Sequence, residues 1–161
     1  MQAKDNIIDK ALNSLKDGSL SIFSQFFPVK LNSDTSWQRD EHDEDYFIQI
    51  SICINGDING IIFYCMPKQT AFILAEKMTD RSALDSLDKI SKSAIMELCN
   101  MMAGSSCIKM STLGFSCDIS TTRLKMFSPV NSDLNKDSVF YFIKLPEEPE
   151  FTIIFSPQTQ D

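Results

Sequence analysis

Apolar positions along this chain recur with two different periods, and each period marks a different kind of element. Over residues 47–54, Ile48, Ile50, Ile52 and Ile54 alternate with Gln49, Ser51 and Cys53. That period of two is the mark of a half-buried strand. Asn55-Gly56 provides a turn and residues 58–65 return, which predicts a hairpin. Over residues 4–27, Ile7, Ile8, Ala11, Leu12, Leu15, Ile22, Phe23, Phe26 and Phe27 recur at helical spacing. Gly18 is expected to weaken and bend the middle of this helix. Pro28 should end it, because proline cannot continue the hydrogen-bond ladder. Pro67 suits the first turn of a second helix over residues 68–79, with Ala71, Leu74, Ala75 and Met78 on its core face. A polar link over residues 79–84 leads to a third helix over residues 87–107, which Asp85 or Ser86 could cap.

The ends of the chain carry weaker signals. Val29 and Leu31 suggest a short strand. After Gly114 the pattern turns to β again, with at least one strand in residues 115–127 and a final pair over 139–145 and 151–155. Pro146-Glu-Glu-Pro-Glu150 joins that pair, and residues 156–161 read as a frayed tail. Helices combined with hairpin-joined strands predict an α+β fold, a largely antiparallel sheet with helices packed against it. At 161 residues the chain reads as one domain, long enough to bury a sizeable core.

The third helix carries the chemistry. Ser93, Glu97, Asn100 and Gly104 lie at i, i+4, i+7 and i+11. At roughly 100° per residue they share an arc about 60° wide. Leu87, Ile90, Ala94, Ile95, Leu98, Met101 and Met102 form a broad apolar arc beginning on one side of it. Met96, Cys99, Ala103 and Cys107 line the other. A surface helix normally shows an apolar stripe beside a wide polar face; here a narrow polar seam is set into an apolar surface. Spacing alone would let the pair be an ordinary solvated Glu and Asn. The small residues Ser93 and Gly104 change that reading, since they let another surface approach the backbone. A helical Gly costs about 1 kcal/mol against Ala, so Gly104 calls for a reason in access or close packing.

Ser93-Ala-Ile-Met-Glu97-Leu-Cys-Asn100-Met-Met-Ala-Gly104 resembles the Asp/Ser-x3-Glu-x2-Asn signature of the CheC/CheX/FliY chemotaxis phosphatases. Leu113-Gly114-Phe115-Ser-Cys-Asp118-Ile119-Ser120 is similar to the strand after that motif in CheX-type members. Gly56-Asp-Ile-Asn-Gly60-Ile-Ile-Phe-Tyr-Cys, Pro67 and Ala71-Phe-Ile-Leu-Ala75-Glu-Lys-Met78 match the family's hairpin and following helix. The resemblance spans about residues 50–119 and is closest to the CheX type. It implies a two-layer, CheC-like fold and hydrolysis of the aspartyl phosphate of a CheY-like response regulator. Asn100 would then position the water, Glu97 would meet the receiver's lysine, and Ser93 and Gly104 would border the docked partner. The Mg2+ would come from the receiver, with no cofactor or metal of this chain's own. A homodimer paired through the sheet is also implied, and Val139, Phe140, Tyr141, Phe142 and Ile143 make a strand more apolar than an open edge should be.

Two departures bear on this. The position 23 residues after Asn100, where the family often carries Pro, is Arg123, so the segment near the site is expected to be shaped differently. Asn6, Lys10, Asn13 and Asp17 of the first helix repeat the spacing of the seam, but Lys10 stands where a Glu would be needed. A single active centre is therefore expected.

Composition narrows the partners. A net charge of −7 offers no basic stripe for nucleic acid. The amino-terminal residues hold no apolar signal core, and no run approaches the length of a membrane span, so a cytoplasmic protein is expected. The five cysteines, without a C-x-x-C, read as buried free thiols. The acidic stretch Asp40-Glu-His-Asp-Glu-Asp45 lacks the spacing of a calcium loop and reads as a solvated loop. A non-catalytic response-regulator-binding module, akin to flagellar-switch proteins, is the alternative function. A metal-dependent hydrolase finds no ligand set.

Overall fold

The structure, a computed structural model of the chain, describes residues 2–27, 36–39, 45–129, 133–145 and 150–158. Among these are three helices, α1 (Gln2–Phe23), α2 (Lys68–Thr79) and α3 (Lys89–Thr112), and five strands. The strands are β1 (Asp45–Gly56), β2 (Gly60–Met66), β3 (Cys117–Pro129), β4 (Val139–Lys144) and β5 (Glu150–Pro157). They form one sheet in the order β3-β1-β2-β5-β4, with every neighbouring pair antiparallel. The α+β fold with helices on an antiparallel sheet is as expected. The span of the possible strand at Val29 and Leu31, Pro28, and most of the acidic stretch lie outside the described residues.

The alternation in β1 does what its period requires. Ile48, Ile50, Ile52 and Ile54 are buried in one core with Leu15 and Phe23 of α1, Leu74 of α2, and Ile95, Leu98 and Met102 of α3. Each such side chain contributes about 1.5–3 kcal/mol through burial. A smaller cluster of Tyr46, Phe63, Cys65, Phe140 and Ile154 sits apart from this core. In α2, Ala71, Leu74 and Ala75 are fully buried and Met78 is half-buried, so the predicted face holds.

Gly18 is not the weak point that its residue type suggested. It marks the closest approach of α1 to α3: a Cβ there would lie 2.4 Å from both Cα and N of Ser106. Beside it, Ser19 Oγ lies 3.0 Å from the Tyr64 hydroxyl and 3.5 Å from Ser106 Oγ. Ser19 and Ser106 are 87 residues apart, the interval that also separates Asn6 from Ser93. With β1-β2 and β5-β4 arranged symmetrically about the centre of the sheet, the faint repeat in the sequence becomes a pseudo-two-fold in the fold.

The cysteine expectation needs correction. Cys53, Cys65 and Cys99 are free, but Cys107 and Cys117 are joined in a disulfide. The chain reverses after α3 at Gly114 (φ 88°), which brings the two Cα atoms to 5.5 Å, within the range a disulfide spans. Sequence spacing could not show that reversal. Closing a loop with a separation of 10 residues should stabilise the fold by about 2–3 kcal/mol. Cys117→Ser is therefore expected to lower Tm by roughly 4–10 °C. Thiol titration of the unfolded, unreduced protein should find the three free cysteines; finding all five would refute the bond.

The apolar residues of β4 are accounted for within one chain. Phe140, Tyr141 and Ile143 are buried, Gln38 exchanges two backbone hydrogen bonds with Phe140, and Trp37 packs on Tyr141. The expectation of a dimer therefore loses its support from β4 and keeps only that of the resemblance. Ser156 and Pro157, expected in a frayed tail, extend β5, and Gln158 donates its backbone N–H to Asn59 O. No described helix is long and apolar enough to cross a membrane.

Candidate functional site

The polar seam lies on α3, and both ends of that helix are anchored. At its start the Asp88 carboxylate accepts from Ser91 N at 2.8 Å, an N-cap that satisfies one of the helix's orphan donors. Arg81 donates to both Asp88 oxygens, at 2.9 and 3.1 Å, and to Ser91 Oγ at 2.8 Å. The guanidinium, followed by the Ser91 donors, holds the Asp88 carboxyl well below the usual carboxylate range. The cap is thus Asp88, not Asp85 or Ser86, because it alone of the three is placed to meet the first turn. At the other end, Asp57 in the β1–β2 turn accepts from Ser116 N at 2.6 Å and donates its own N–H to Ser116 O. The hairpin tip and the α3–β3 turn are locked together.

Between these anchors α3 divides into faces. Ser91, Ile95, Leu98, Cys99, Met102, Ala103, Ser106 and Met110 are buried against the rest of the fold. Ser93 and Glu97 are exposed, and Asn100 and Gly104 are half-buried, so all four lie together on the open side. Ile90 and Met101, members of the broad apolar arc, are exposed, as is Ile108, at 64, 38 and 68%. The physical reason is angular. Burial covers only the arc that meets α1, α2 and the sheet, and these three residues project beyond it, beside the seam. The seam is therefore flanked by β3 on one side and by open apolar side chains on the other. A Cβ at Gly104 would meet nothing within 4 Å, so close packing inside this chain does not explain the glycine.

One partner of the site was not singled out by the sequence reading. Thr122 of β3 donates its hydroxyl to Asn100 Oδ1. A β-bulge aims it there. In the β1–β3 register Ile52 faces Thr122 and Ile54 faces Ile119, so two steps along β1 oppose three along β3. Ser120 and Thr121 are both exposed, and the inward positions shift from odd to even numbers. That shift was visible in the sequence as the change from Cys117 and Ile119 to Leu124 and Met126. Arg123, next along, is exposed and faces Ser51 in the register. The segment where the family often carries Pro is thus a bulged edge strand. On α1, Asn6, Lys10, Asn13 and Asp17 are all exposed.

Residues 48–145 match the family model described as chemotaxis phosphatase CheX. This chain belongs to the CheX family of chemotaxis phosphatases. Solved structures agree in fold at low identity. The chemotaxis protein CheX from Vibrio vulnificus superposes with a TM-score of 0.75 at 11% identity, covering 92% of this chain and 99% of that one. CheX from Desulfovibrio desulfuricans gives 0.72 at 17%, covering 92% and 99%. The CheX–CheY–BeF3–Mg2+ complex from Borrelia burgdorferi gives 0.71 at 16%, covering 91% and 97%. No curated protein sequence matches this chain.

Proposed function

We propose that Glu97 and Asn100 form the phosphatase centre and act on the aspartyl phosphate of a CheY-like receiver, with Ser93 and Gly104 leaving room for it to approach. One observation carries this reading: the two residues stand one helical turn apart on the open side of a helix anchored at both ends. The reaction asks little covalent chemistry of this chain. A water oxygen bonds to phosphorus as the bond from phosphorus to the aspartyl oxygen breaks, leaving the aspartate carboxylate and inorganic phosphate, which between them and solvent take up the water's proton. The receiver brings Mg2+ and a lysine, which offset phosphoryl charge. What remains is placement of the water, and positioning alone is worth several kcal/mol. The carboxamide of Asn100 suits this, since it donates and accepts while staying neutral beside a phosphoryl group. Glu97 pairs with the receiver's lysine and sets the docking register. Ile90, Met101 and Ile108 add apolar area beside it. A CheX bound to CheY with BeF3 and Mg2+ among the similar structures supports a receiver as partner and as the source of the metal. A receiver as partner supports the cytoplasm as the place of the reaction.

The test is substrate choice. Dephosphorylation should rise and saturate with phosphorylated receiver, and chelation should stop it by disabling the receiver. Acetyl phosphate and phosphomonoesters should be left intact. Hydrolysis of small phosphoesters through a metal bound to this chain would overturn the reading.

Gly104→Ala separates docking from folding. With open space at the Cβ, the substitution should stabilise α3 by about 1 kcal/mol and raise Tm by roughly 2–4 °C. It should also weaken receiver binding several-fold, because the methyl group stands where the partner approaches. Unchanged affinity would remove Gly104 from the docking surface. The homodimer is proposed on the family resemblance, and light scattering at tens of micromolar should give twice the 18.2 kDa chain mass. A monomer mass would contradict it.

A further inference from the structure

The β3 bulge gives Asn100 a fixed neighbour, and from it we infer that Thr122 is a positioning residue for the phosphatase centre, holding the Asn100 carboxamide in the orientation that places the water. The inference rests on the proposed role of Asn100 and adds a residue to it.

Three observations converge. The Thr122 hydroxyl donates to Asn100 Oδ1, and among the described residues it is the hydrogen-bond partner of that side chain. The hydroxyl reaches α3 only because the bulge changes the phase of the strand. With an unbroken alternation from Cys117 and Ile119, Thr121 would face the helix and Thr122 would face away. The strand that carries the hydroxyl is itself tied to the same helix by the Cys107–Cys117 bond. A bulge beside a site is a recurring way of re-aiming one side chain.

The chemistry explains why such a tether matters. The terminal torsion of an asparagine is broad and roughly two-fold, so an untethered carboxamide exchanges its oxygen and nitrogen ends. A hydroxyl donated to Oδ1 occupies one of its two lone pairs. It leaves the second lone pair and both Nδ2 hydrogens for water and phosphoryl oxygen. A water placed in line with phosphorus needs that polarity held steady while the receiver docks. Glu97, fully on the open side, meets the partner without help from β3. Loss of Thr122 should thus affect turnover and spare docking.

The experiment compares Thr122→Val, which keeps the branched shape and removes the hydroxyl, with Thr122→Ser, which keeps the hydroxyl. Thr122→Ala replaces the valine variant if that one does not fold. Stimulated dephosphorylation is measured against phosphorylated receiver concentration, with Asn100→Ala in parallel. The expected result is a fall in kcat of about ten- to a hundredfold for Thr122→Val. Apparent KM should stay within about twofold, melting should be unaltered, and serine should restore most of the rate. A purely structural role would lower Tm or affect valine and serine alike, and either result would overturn the inference. If Asn100→Ala is inactive while Thr122→Val turns over at the full rate, this inference fails and the proposed centre stands. If Asn100→Ala is fully active, both fail.

Discussion

Asn100→Ala is expected to lower receiver-stimulated dephosphorylation by at least about a hundredfold while the protein melts as the parent does. The size follows from the chemistry. If placement of one water is the main contribution of this chain, removing the placing group removes most of the acceleration. The intact fold follows from location: Asn100 is half-buried at the seam, and its hydrogen-bonding partner Thr122 lies on an edge strand with access to solvent. Glu97→Ala should behave differently. Its carboxylate is exposed and is assigned to docking, so apparent affinity for the phosphorylated receiver should fall more than kcat. Steady-state kinetics on both variants checks the division of roles. An Asn100→Ala protein with undiminished activity would remove that residue from the mechanism.

Gly18→Ala should cost about 2–3 kcal/mol, although replacing a helical glycine by alanine ordinarily helps. The sign reverses because the added Cβ would sit 2.4 Å from the backbone of Ser106, which cannot swing aside as a side-chain tip can. One of the helices must move, and Ser19, Tyr64 and Ser106 share the hydrogen bonds at that crossing. Tm should drop by roughly 4–10 °C, and activity should fall as α3 shifts relative to β3. Gly104→Ala makes the internal control: the same substitution on the neighbouring helix should raise Tm. Thermal melts of the two variants side by side decide the matter. A stabilised Gly18→Ala protein would contradict the packing described at the crossing.

The contrast between these glycines shows which parts of the molecule a sequence makes legible. The isoleucines of β1 announced both the strand and its buried face, because a period of two is a local property of the backbone. Pro67 announced α2 for an equally local reason, and the Ser93–Gly104 seam followed from helical geometry alone. Contacts between distant segments were hidden. Gly18 looked like a defect until Ser106 was seen against it. Cys107 and Cys117 looked like free thiols until the turn at Gly114 folded one over the other. The cap at Asp88 is a local bond to Ser91 N, and it was missed because the helix was expected to begin two residues early, at Leu87. How much of the apolar arc with Ile90 and Met101 is covered was hidden too, because periodicity gives the angle of a side chain and not the width of the surface that meets it. The bulge was partly visible, since the apolar positions of β3 change parity between Ile119 and Leu124. What could not be seen was that the change delivers the Thr122 hydroxyl to Asn100.

The central claim is that this chain shortens the life of a receiver's aspartyl phosphate by positioning water, and does not merely bind the receiver. The most direct measurement loads a CheY-like receiver with phosphate in the presence of Mg2+ and follows both complex formation and phosphate lifetime as this protein is titrated in. The expected result is a lifetime that shortens in proportion to the complex formed and reaches a plateau when the receiver is saturated. A saturated complex in which the phosphate survives as long as it does on the free receiver would contradict the claim.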